Sequence, residues 1–221
     1  MEYTIVELQT AFDRGEWTSV GLCEFFLKRI AEIDASGPTL RSVIEINPDA
    51  LAIADSLDRE RRQKGPRSSL HGVPVLVKDS IDTADKMMTT AGSLALEGNI
   101  ALRDAFLVEK MRAAGAVLFG KTNMSEWGYM RSTRACSGWS SRGGQVRNRY
   151  VLDRSPLGSG SGSAVAVAAD LCMVAIGAEV DGSIVRPASS NGIVGLKPTV
   201  GLRLCRSSSR NSLKWLGRRA I

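Results

Sequence analysis

A serine at a glycine turn and a lysine at a strand end are the residues of this sequence that could perform acyl transfer. Ser183 follows Asp181 and Gly182, in a turn that leaves a predicted strand. A serine at such a turn can act as a nucleophile, and the exposed backbone amides of the turn can form an oxyanion hole. On this segment alone, an ordinary turn serine remains the simpler interpretation.

A serine nucleophile needs a base, and histidine is the usual one. The only histidine is His71, and it precedes Gly72 at the wrong end of its strand, so we interpret it as structural. Lys78 lies at the carboxyl end of the apolar run Val73–Val77, where α/β sheets place ligands, and burial there would lower its pKa. A lysine that only marks the strand end, or one paired with Asp79, is the open alternative.

Glycine and serine are dense in the segment 155–163, SPLGSGSGS, which leads directly into a small-residue helix. Such a segment lets the backbone approach a ligand and places hydroxyl and amide groups at the start of a helix. Taken alone, it is also typical of a flexible loop.

One motif match has the wrong context. Residues 115–122 fit the phosphate-loop pattern, but a predicted helix precedes Gly115 and the gap between the glycines is apolar. We therefore interpret Gly115 as a helix cap and Lys121 as an ordinary residue at the end of a strand.

The hydrophobic pattern predicts which elements position these residues. Apolar residues at helical spacing, a Thr4–Glu7 capping box and an Asn47–Pro48 cap predict a helical front end. Strands and helices then alternate: strands 73–77, 116–119 and 172–176, a helix opened by Asp104, a helix 163–169, and a short helix after Ser183 that Pro187 stops. The pattern predicts an α/β fold with a mainly parallel sheet buried on both faces.

Composition limits the class of protein. The chain has 221 residues with 43% hydrophobic content, no apolar stretch long enough to span a membrane, and acids near its N-terminus where a signal peptide would be basic. We expect a soluble, cytoplasmic protein that binds no membrane. The four cysteines form no CxxC pair, which predicts reduced thiols and neither a metal site nor a disulfide framework.

The net charge of +6 comes from the end of the chain. Residues 203–221 contain six bases and no acid, so residues 1–202 hold 23 bases and 23 acids. This polar tail is typical of a solvated segment, and nucleic-acid contact is the less favoured interpretation.

Four segments carry a resemblance to a known family. LHGVPVLVKDSIDT (70–83), LFGKTNMSEW (118–127), SPLGSGSGSAVAVAA (155–169) and AIGAEVDGSIVRPASSNGIVGLKPTVG (175–201) occur in this order. Together they resemble the amidase signature family, closest to its peptide amidase and general amidase branch. The resemblance implies the amidase signature fold, a mixed, mainly parallel sheet covered by helices, here incomplete at the C-terminus.

The resemblance also implies roles for individual residues. Ser183 corresponds to the nucleophile, Ser159 to the serine after a cis peptide bond that bridges nucleophile and base, and Lys78 to the neutral base. The backbone amides of Val180, Asp181, Gly182 and Ser183 correspond to the oxyanion hole. The implied activity is hydrolysis of a small-molecule carboxamide at its C–N bond through an acyl-enzyme, without metal or cofactor.

Three alternatives stay open at this stage. The chain could be an inactive truncated remnant of such an enzyme, or the glutamine-hydrolysing subunit of an amidotransferase, which needs a partner chain. A binding module built on the basic tail is the third and least favoured.

The sequence also departs from the family pattern. Gly160 replaces a second serine, Ala178 and Val180 replace threonines, and Arg186 falls one position later than the common arginine. The resemblance ends near Leu202, so we interpret 1–202 as the N-terminal part of an amidase signature domain. We interpret 203–221 as a non-matching basic tail from a truncated or frame-shifted product.

Overall fold

The computed structural model describes residues 3–130 and 132–199 and the backbone of residues 212–217. The helices are α1 (Ile5–Asp13), α2 (Ser19–Arg29), α3 (Ala50–Lys64), α4 (Phe106–Ala113), α5 (Ser161–Ala168) and α6 (Val185–Ser190). A π-helical segment (Ile30–Asp34) extends α2, and two short 3-10 helices cover Leu94–Leu96 and Glu126–Tyr129. Among the residues described, none of the helices has the length and apolar content of a membrane span.

The strands are β1 (Val43–Ile46), β2 (Pro74–Lys78), β3 (Val117–Thr122), β4 (Trp139–Ser140), β5 (Gly144–Gln145), β6 (Val174–Glu179), β7 (Val194–Leu196) and β8 (Ser212–Gly217). Six of them form one sheet in the order β1-β3-β2-β6-β8-β7, and β4 and β5 form a separate ribbon. Strands β3, β2 and β6 are parallel, whereas β1 and β8 are antiparallel to their neighbours. The predicted α/β fold with a mainly parallel sheet is confirmed.

The central strands are buried on both faces. Val75 and Val77 belong to the core cluster that α4 completes, and Leu76 belongs to the opposite cluster, to which α2 and α3 contribute. This alternation follows from the two-residue period of a strand. Because the period continues to the end of β2, the side chains of Lys78 and Asp79 leave the sheet on opposite faces.

The helix starts and stops largely follow the sequence signals. The capping box of Thr4 and Glu7 is present at α1, and Gly115 has a φ of +83° just after the end of α4. Asp104 does not cap α4; its carboxylate instead accepts hydrogen bonds from Arg112 and from the amide of Ala84.

Two expectations about the C-terminal part are wrong. Pro187 does not stop the helix after Ser183, because it is the third residue of α6, in the first turn, where the missing N–H has no intrahelical partner to lose. The tail 203–221 was expected to be a solvated segment, yet its residues 212–217 form the strand β8 between β6 and β7. Residues 203–211 and 218–221 lie outside the described residues. The sequence of that strand, SLKWLG, contains tryptophan, a residue type that is enriched in strands.

The cysteines are thiols wherever the structure describes them. Cys23 and Cys172 are buried and Cys136 is exposed, and all three are free. Cys205 lies outside the described residues.

Candidate active site

The buried end of β2 carries the first residue of the site. The Lys78 side chain is 2% exposed, and its Nζ donates to Ser159 Oγ at 2.7 Å and to the carbonyl oxygen of Ala178 at 3.1 Å. Both acceptors are neutral oxygens. Lys78 Nζ therefore contacts one hydroxyl and one backbone carbonyl, which come from two different segments of the chain.

Ser159 lies between the lysine and the second serine. The peptide bond from Gly158 to Ser159 is cis, as the resemblance implies. Ser159 Oγ lies 3.0 Å from Ser183 Oγ, and the Ser159 carbonyl accepts from the amide of Ser125 at 3.1 Å. The three residues selected from the sequence are therefore in continuous contact, Lys78 to Ser159 to Ser183.

The loop of residues 180–183 joins β6 to α6 and carries Ser183. Gly182 has a φ of +73°, a conformation that glycine adopts without steric cost. The Ser183 carbonyl accepts from the amide of Gly160 at 3.0 Å, which ties this loop to the segment of Ser159. Within the described ranges, the backbone N–H groups of Asp181, Gly182 and Ser183 donate to no acceptor.

Burial controls the protonation of the lysine. Removal from water lowers the pKa of Lys78 to about 7, and the negative charge of Glu179 acts in the opposite direction. The alternative pairing of Lys78 with Asp79 does not occur. The Asp79 carboxylate instead accepts from the amide and hydroxyl of Thr90 and from the amide of Gly92.

Glu179 is a buried acid that the sequence interpretation missed. Its Oε2 accepts from the amides of Ile184 at 2.8 Å and Val185 at 3.0 Å, so it bridges the ends of the loop that carries Ser183. The available signal was an acid at the end of an apolar run, directly before the Asp-Gly turn. That signal does not reveal which amides the carboxylate binds.

The other two candidates lie away from these contacts. His71 Nε2 is 2.9 Å from the Leu57 carbonyl, and its Nδ1 accepts from the amide of Arg67, which is a structural arrangement of the ring. Lys121 is fully buried at the opposite face from Lys78, and its Nζ donates to the Ile81 carbonyl and the Thr89 hydroxyl. Burial lowers the pKa of Lys121 to about 8, which the sequence did not predict.

A cavity of about 370 Å³ is lined by residues of the 125–139 segment, among them Ser125, whose amide donates to the Ser159 carbonyl; neither Ser159 nor Ser183 is part of its wall. Its wall includes Trp127 and Tyr129, which flank Gly128 in a turn whose three residues all have positive φ. A Cβ on Gly128 would lie 3.7 Å from Ser159 Oγ. The remaining lining residues are Ser125, Glu126, Ser132, Arg134, Ala135, Cys136 and Trp139. Three aromatic side chains, those of Trp127, Tyr129 and Trp139, therefore border this cavity.

The departures from the family pattern have distinct positions. A Cβ on Gly160 would lie 2.7 Å from the Ser183 carbonyl oxygen, so the loop is packed against a glycine there. Val180 is 77% exposed, and Ala178 contributes its carbonyl to Lys78. The exposed Arg186 lies 3.9 Å from the exposed Asp181. Among the residues that the structure describes, no group of three His, Cys, Asp or Glu side chains is placed to hold a metal ion.

The α/β sheet carries Lys78 at the end of β2 and Ser183 after β6, and Ser159 lies just before α5. Comparison with known proteins identifies the class of protein that has this fold. The family model for amidases matches residues 22–212. The chain belongs to the amidase signature family. A solved structure of native peptide amidase from Stenotrophomonas maltophilia superposes with a TM-score of 0.94 at 52% identity, and covers 98% of this chain and 45% of that one.

Curated sequences agree with this assignment. A probable amidase from Arabidopsis thaliana is 50% identical over 203 residues, which are 91% of this chain and 39% of that protein. A glutamyl-tRNA(Gln) amidotransferase subunit from Thioalkalivibrio sulfidiphilus is 43% identical over 201 residues, 90% of this chain and 40% of that one. The chain thus spans less than half the length of these relatives.

Proposed function

We propose that this chain hydrolyses the C–N bond of a carboxamide, with Ser183 as nucleophile, Ser159 as bridge and Lys78 as base. The observation that carries this proposal is the unbroken contact from Lys78 Nζ to Ser159 Oγ, 2.7 Å, and on to Ser183 Oγ, 3.0 Å. A lysine whose pKa is lowered to about 7 by burial has a substantial neutral population at neutral pH and can accept a proton.

In the first half of the proposed reaction, the Ser183 oxygen attacks the amide carbonyl carbon. The Ser183 proton passes to Ser159, and the Ser159 proton passes to neutral Lys78. In the structure, a charged Lys78 donates a hydrogen bond to Ser159. Because hydroxyl hydrogens can rotate, the Ser159 hydroxyl can instead donate to a neutral Lys78, and the same contacts then pass protons toward the lysine. The developing oxyanion is bound by the amides of the 180–183 loop, where one donor typically contributes about 3 kcal/mol.

In the second half, the C–N bond breaks and the proton held by Lys78 returns through Ser159 to the leaving nitrogen. An ester between the acyl group and Ser183 remains. Water then attacks this ester and passes a proton through Ser159 to Lys78. As the ester C–O bond breaks, that proton returns through Ser159 to the Ser183 oxygen, which releases the acid and restores the Ser183 hydroxyl and neutral Lys78. Each step uses groups of the chain and water, so the proposal includes no metal or cofactor.

We place part of the substrate in the cavity lined by the 125–139 segment, because Ser125 in its wall is hydrogen-bonded to the backbone of Ser159. Its aromatic lining of Trp127, Tyr129 and Trp139 suits an apolar or aromatic group next to the scissile amide. The relationship to the peptide amidase from Stenotrophomonas maltophilia makes a peptide with a C-terminal amide the first substrate to test.

A second candidate function is hydrolysis of glutamine as part of an amidotransferase. The relationship at 43% identity to the glutamyl-tRNA(Gln) amidotransferase subunit from Thioalkalivibrio sulfidiphilus favours it. The two functions differ in what they require. An amidase releases ammonia from simple amides by itself, whereas an amidotransferase component depends on its partner chains.

The experiment is a measurement of ammonia released from a peptide amide, an aliphatic amide and glutamine. We expect release from the peptide amide by the unmodified chain, and loss of release in Ser183→Ala and Lys78→Ala. Ser161→Ala serves as the matched control, because the Ser161 hydroxyl bonds the Leu157 carbonyl rather than the serine pair. Absence of release by a folded chain would favour the inactive remnant instead.

A further inference from the structure

We propose that Glu179 is a positioning residue that fixes the loop of residues 180–183, and with it the placement of Ser183 against Ser159. This inference rests on the proposed function, since it names what holds the proposed nucleophile in place. It adds a fourth side chain to the site.

The carboxylate of Glu179 closes the loop. Glu179 is the last residue of β6 and is 4% exposed, and its Oε2 accepts hydrogen bonds from the amides of Ile184 and Val185 at 2.8 and 3.0 Å. These bonds join the residue before the loop to the two residues that follow Ser183. Hydrogen bonds to a charged acceptor are about twice as strong as neutral ones, and these two lie at the start of α6, where a negative charge is favoured.

The loop of residues 180–183 also contacts the segment that carries Ser159. The amide of Gly160, the residue after Ser159, donates to the Ser183 carbonyl at 3.0 Å. The buried side chain of Ile184 anchors the far end of the loop in the core. A change at Glu179 therefore moves Ser183 relative to a fixed Ser159, and misplacement of about 1 Å can reduce a rate by about a hundredfold.

The charge of Glu179 also acts on Lys78. The preceding residue, Ala178, accepts a hydrogen bond from Lys78 Nζ, and the carboxylate of Glu179 raises the pKa of Lys78 against the larger effect of burial. The other nearby ionisable groups face elsewhere. Asp79 and Lys121 lie on the opposite face of the sheet, and Asp181 and Arg186 are exposed.

The test compares Glu179→Gln and Glu179→Ala with the unmodified chain, using the rate at which a fluorophosphonate labels Ser183 between pH 5.5 and 9. Glutamine keeps an oxygen that can accept both amides but removes the charge. We therefore expect a labelling rate within a few fold of the unmodified chain at high pH, with the acidic limb of the pH profile moved by about one unit toward lower pH.

Alanine removes the clamp as well as the charge. We expect Glu179→Ala to label about a hundredfold more slowly at every pH, with glutamine restoring most of the loss. Glu97→Gln, a change of the same type on the surface, should leave both rate and limb unchanged. Circular dichroism of each variant checks that it is folded.

The outcomes separate the two proposals. The role of Glu179 alone is overturned if three results occur together. The unmodified chain is labelled at Ser183, the acidic limb of the Glu179→Gln profile does not move, and Glu179→Ala is labelled as fast as the unmodified chain. If Glu179→Ala does not fold, Glu179→Asp takes its place, because it keeps the charge but shortens the side chain that reaches the two amides; labelling of a folded Glu179→Asp as fast as the unmodified chain overturns the positioning role. A folded, unmodified chain that is not labelled at Ser183 overturns the proposed function first.

Discussion

Lys78 and Asp79 are adjacent in the chain, yet they have opposite surroundings. Lys78 faces the two serines, while Asp79 is bound by Thr90, Gly92 and the guanidinium of Arg142 at 3.5 Å. A carboxylate beside the lysine would stabilise its charged form. The alternation of side chains along the strand therefore separates Lys78 from the Asp79 carboxylate, as its proposed role as a base requires, and the two residues do not form an ion pair.

At the residue scale, the bridging hydroxyl of Ser159 should matter for rate rather than for binding. Ser159→Ala interrupts the path from Ser183 to Lys78, and we expect kcat to fall by about 10²–10⁴-fold with KM within about threefold. Steady-state kinetics on a peptide amide measure both constants, with Ser161→Ala as the control. A Ser159→Ala variant that keeps more than a tenth of the kcat would contradict the bridging role.

Gly160 gives a second prediction at this scale. Alanine there would place a Cβ 2.7 Å from the Ser183 carbonyl oxygen, a backbone atom that cannot rotate away. We expect Gly160→Ala to lower the free energy of unfolding by about 1–3 kcal/mol and to slow labelling of Ser183 at least tenfold.

Gly21→Ala is the matched control for this prediction. Its nearest neighbour is a side-chain oxygen at 3.3 Å, and the position is helical. The change should alter the free energy of unfolding by less than about 1 kcal/mol. Equal effects of the two substitutions would show that close packing at Gly160 is not what matters.

The sequence allowed Lys78, Ser159 and Ser183 to be selected, because their types and their places beside strand ends and glycines suggest chemistry directly. The role of Glu179 could not be predicted in the same way. It depends on a loop that folds back so that two amides meet a carboxylate five and six residues earlier. The burial of Lys121 could not be predicted either, because a β-bulge between β2 and β3 shifts the pairing register just before this residue.

At the scale of elements, α3 supports α2 through one side chain. Asp58 of α3 accepts from the amides of Ser19 at 2.8 Å and Val20 at 3.1 Å, in the first turn of α2, while Thr18 accepts from Gly21. Two helices of the helical front end are therefore joined by a cap that neither helix provides alone.

Two aspartates of α3 allow a matched test of this cap. Asp58→Ala leaves two amides at the start of α2 without their acceptor, and we expect a loss of about 1–2 kcal/mol in the free energy of unfolding. Asp55→Ala removes an exposed ion pair with Arg59 and should cost less than about 0.5 kcal/mol. Urea unfolding distinguishes them, and equal losses would contradict the cap.

Elements with a strong period were predictable, and weakly patterned elements were not. Strand β2 is a run of apolar residues, whereas β1 has only four residues, all partly buried, and was missed. The prediction that Pro187 ends the helix was wrong because proline breaks a helix only after its first turn. The strand β8 was missed because its basic surroundings suggested a solvated tail.

At the scale of the whole molecule, two buried lysines make stability depend on pH. Burial lowers the pKa of Lys78 to about 7 and that of Lys121 to about 8, whereas an unfolded chain holds these protons to about pH 10.4. The unfolded state therefore binds more protons above pH 7, so stability rises with pH over this window. Asp34 and Asp79 have raised pKa values, so at pH values above the ordinary carboxyl pKa the folded state binds more protons at these groups than the unfolded state does. These two groups therefore lower the stability as the pH rises through that range.

Lysine variants test this pH dependence, because they share those carboxyl groups. Between pH 7.5 and 9, we expect Lys78→Met to reduce the rise of the free energy of unfolding by about 1 kcal/mol per pH unit. Lys121→Met should act in the same direction, and the exposed Lys64→Met should leave the slope unchanged. Urea unfolding at several pH values gives the slopes, and parallel curves for Lys78→Met and the unmodified chain would mean that Lys78 is charged in the folded state.

The most direct test of the central claim is covalent labelling of the serine that the site presents. The chain is shown to be folded by circular dichroism, treated with a fluorophosphonate, digested and mapped by mass spectrometry. We predict one labelled residue, Ser183, with labelling lost in Lys78→Ala and Ser183→Ala. A folded chain that stays unlabelled, or one labelled at another serine, would contradict the assignment of Lys78, Ser159 and Ser183 as a working catalytic set.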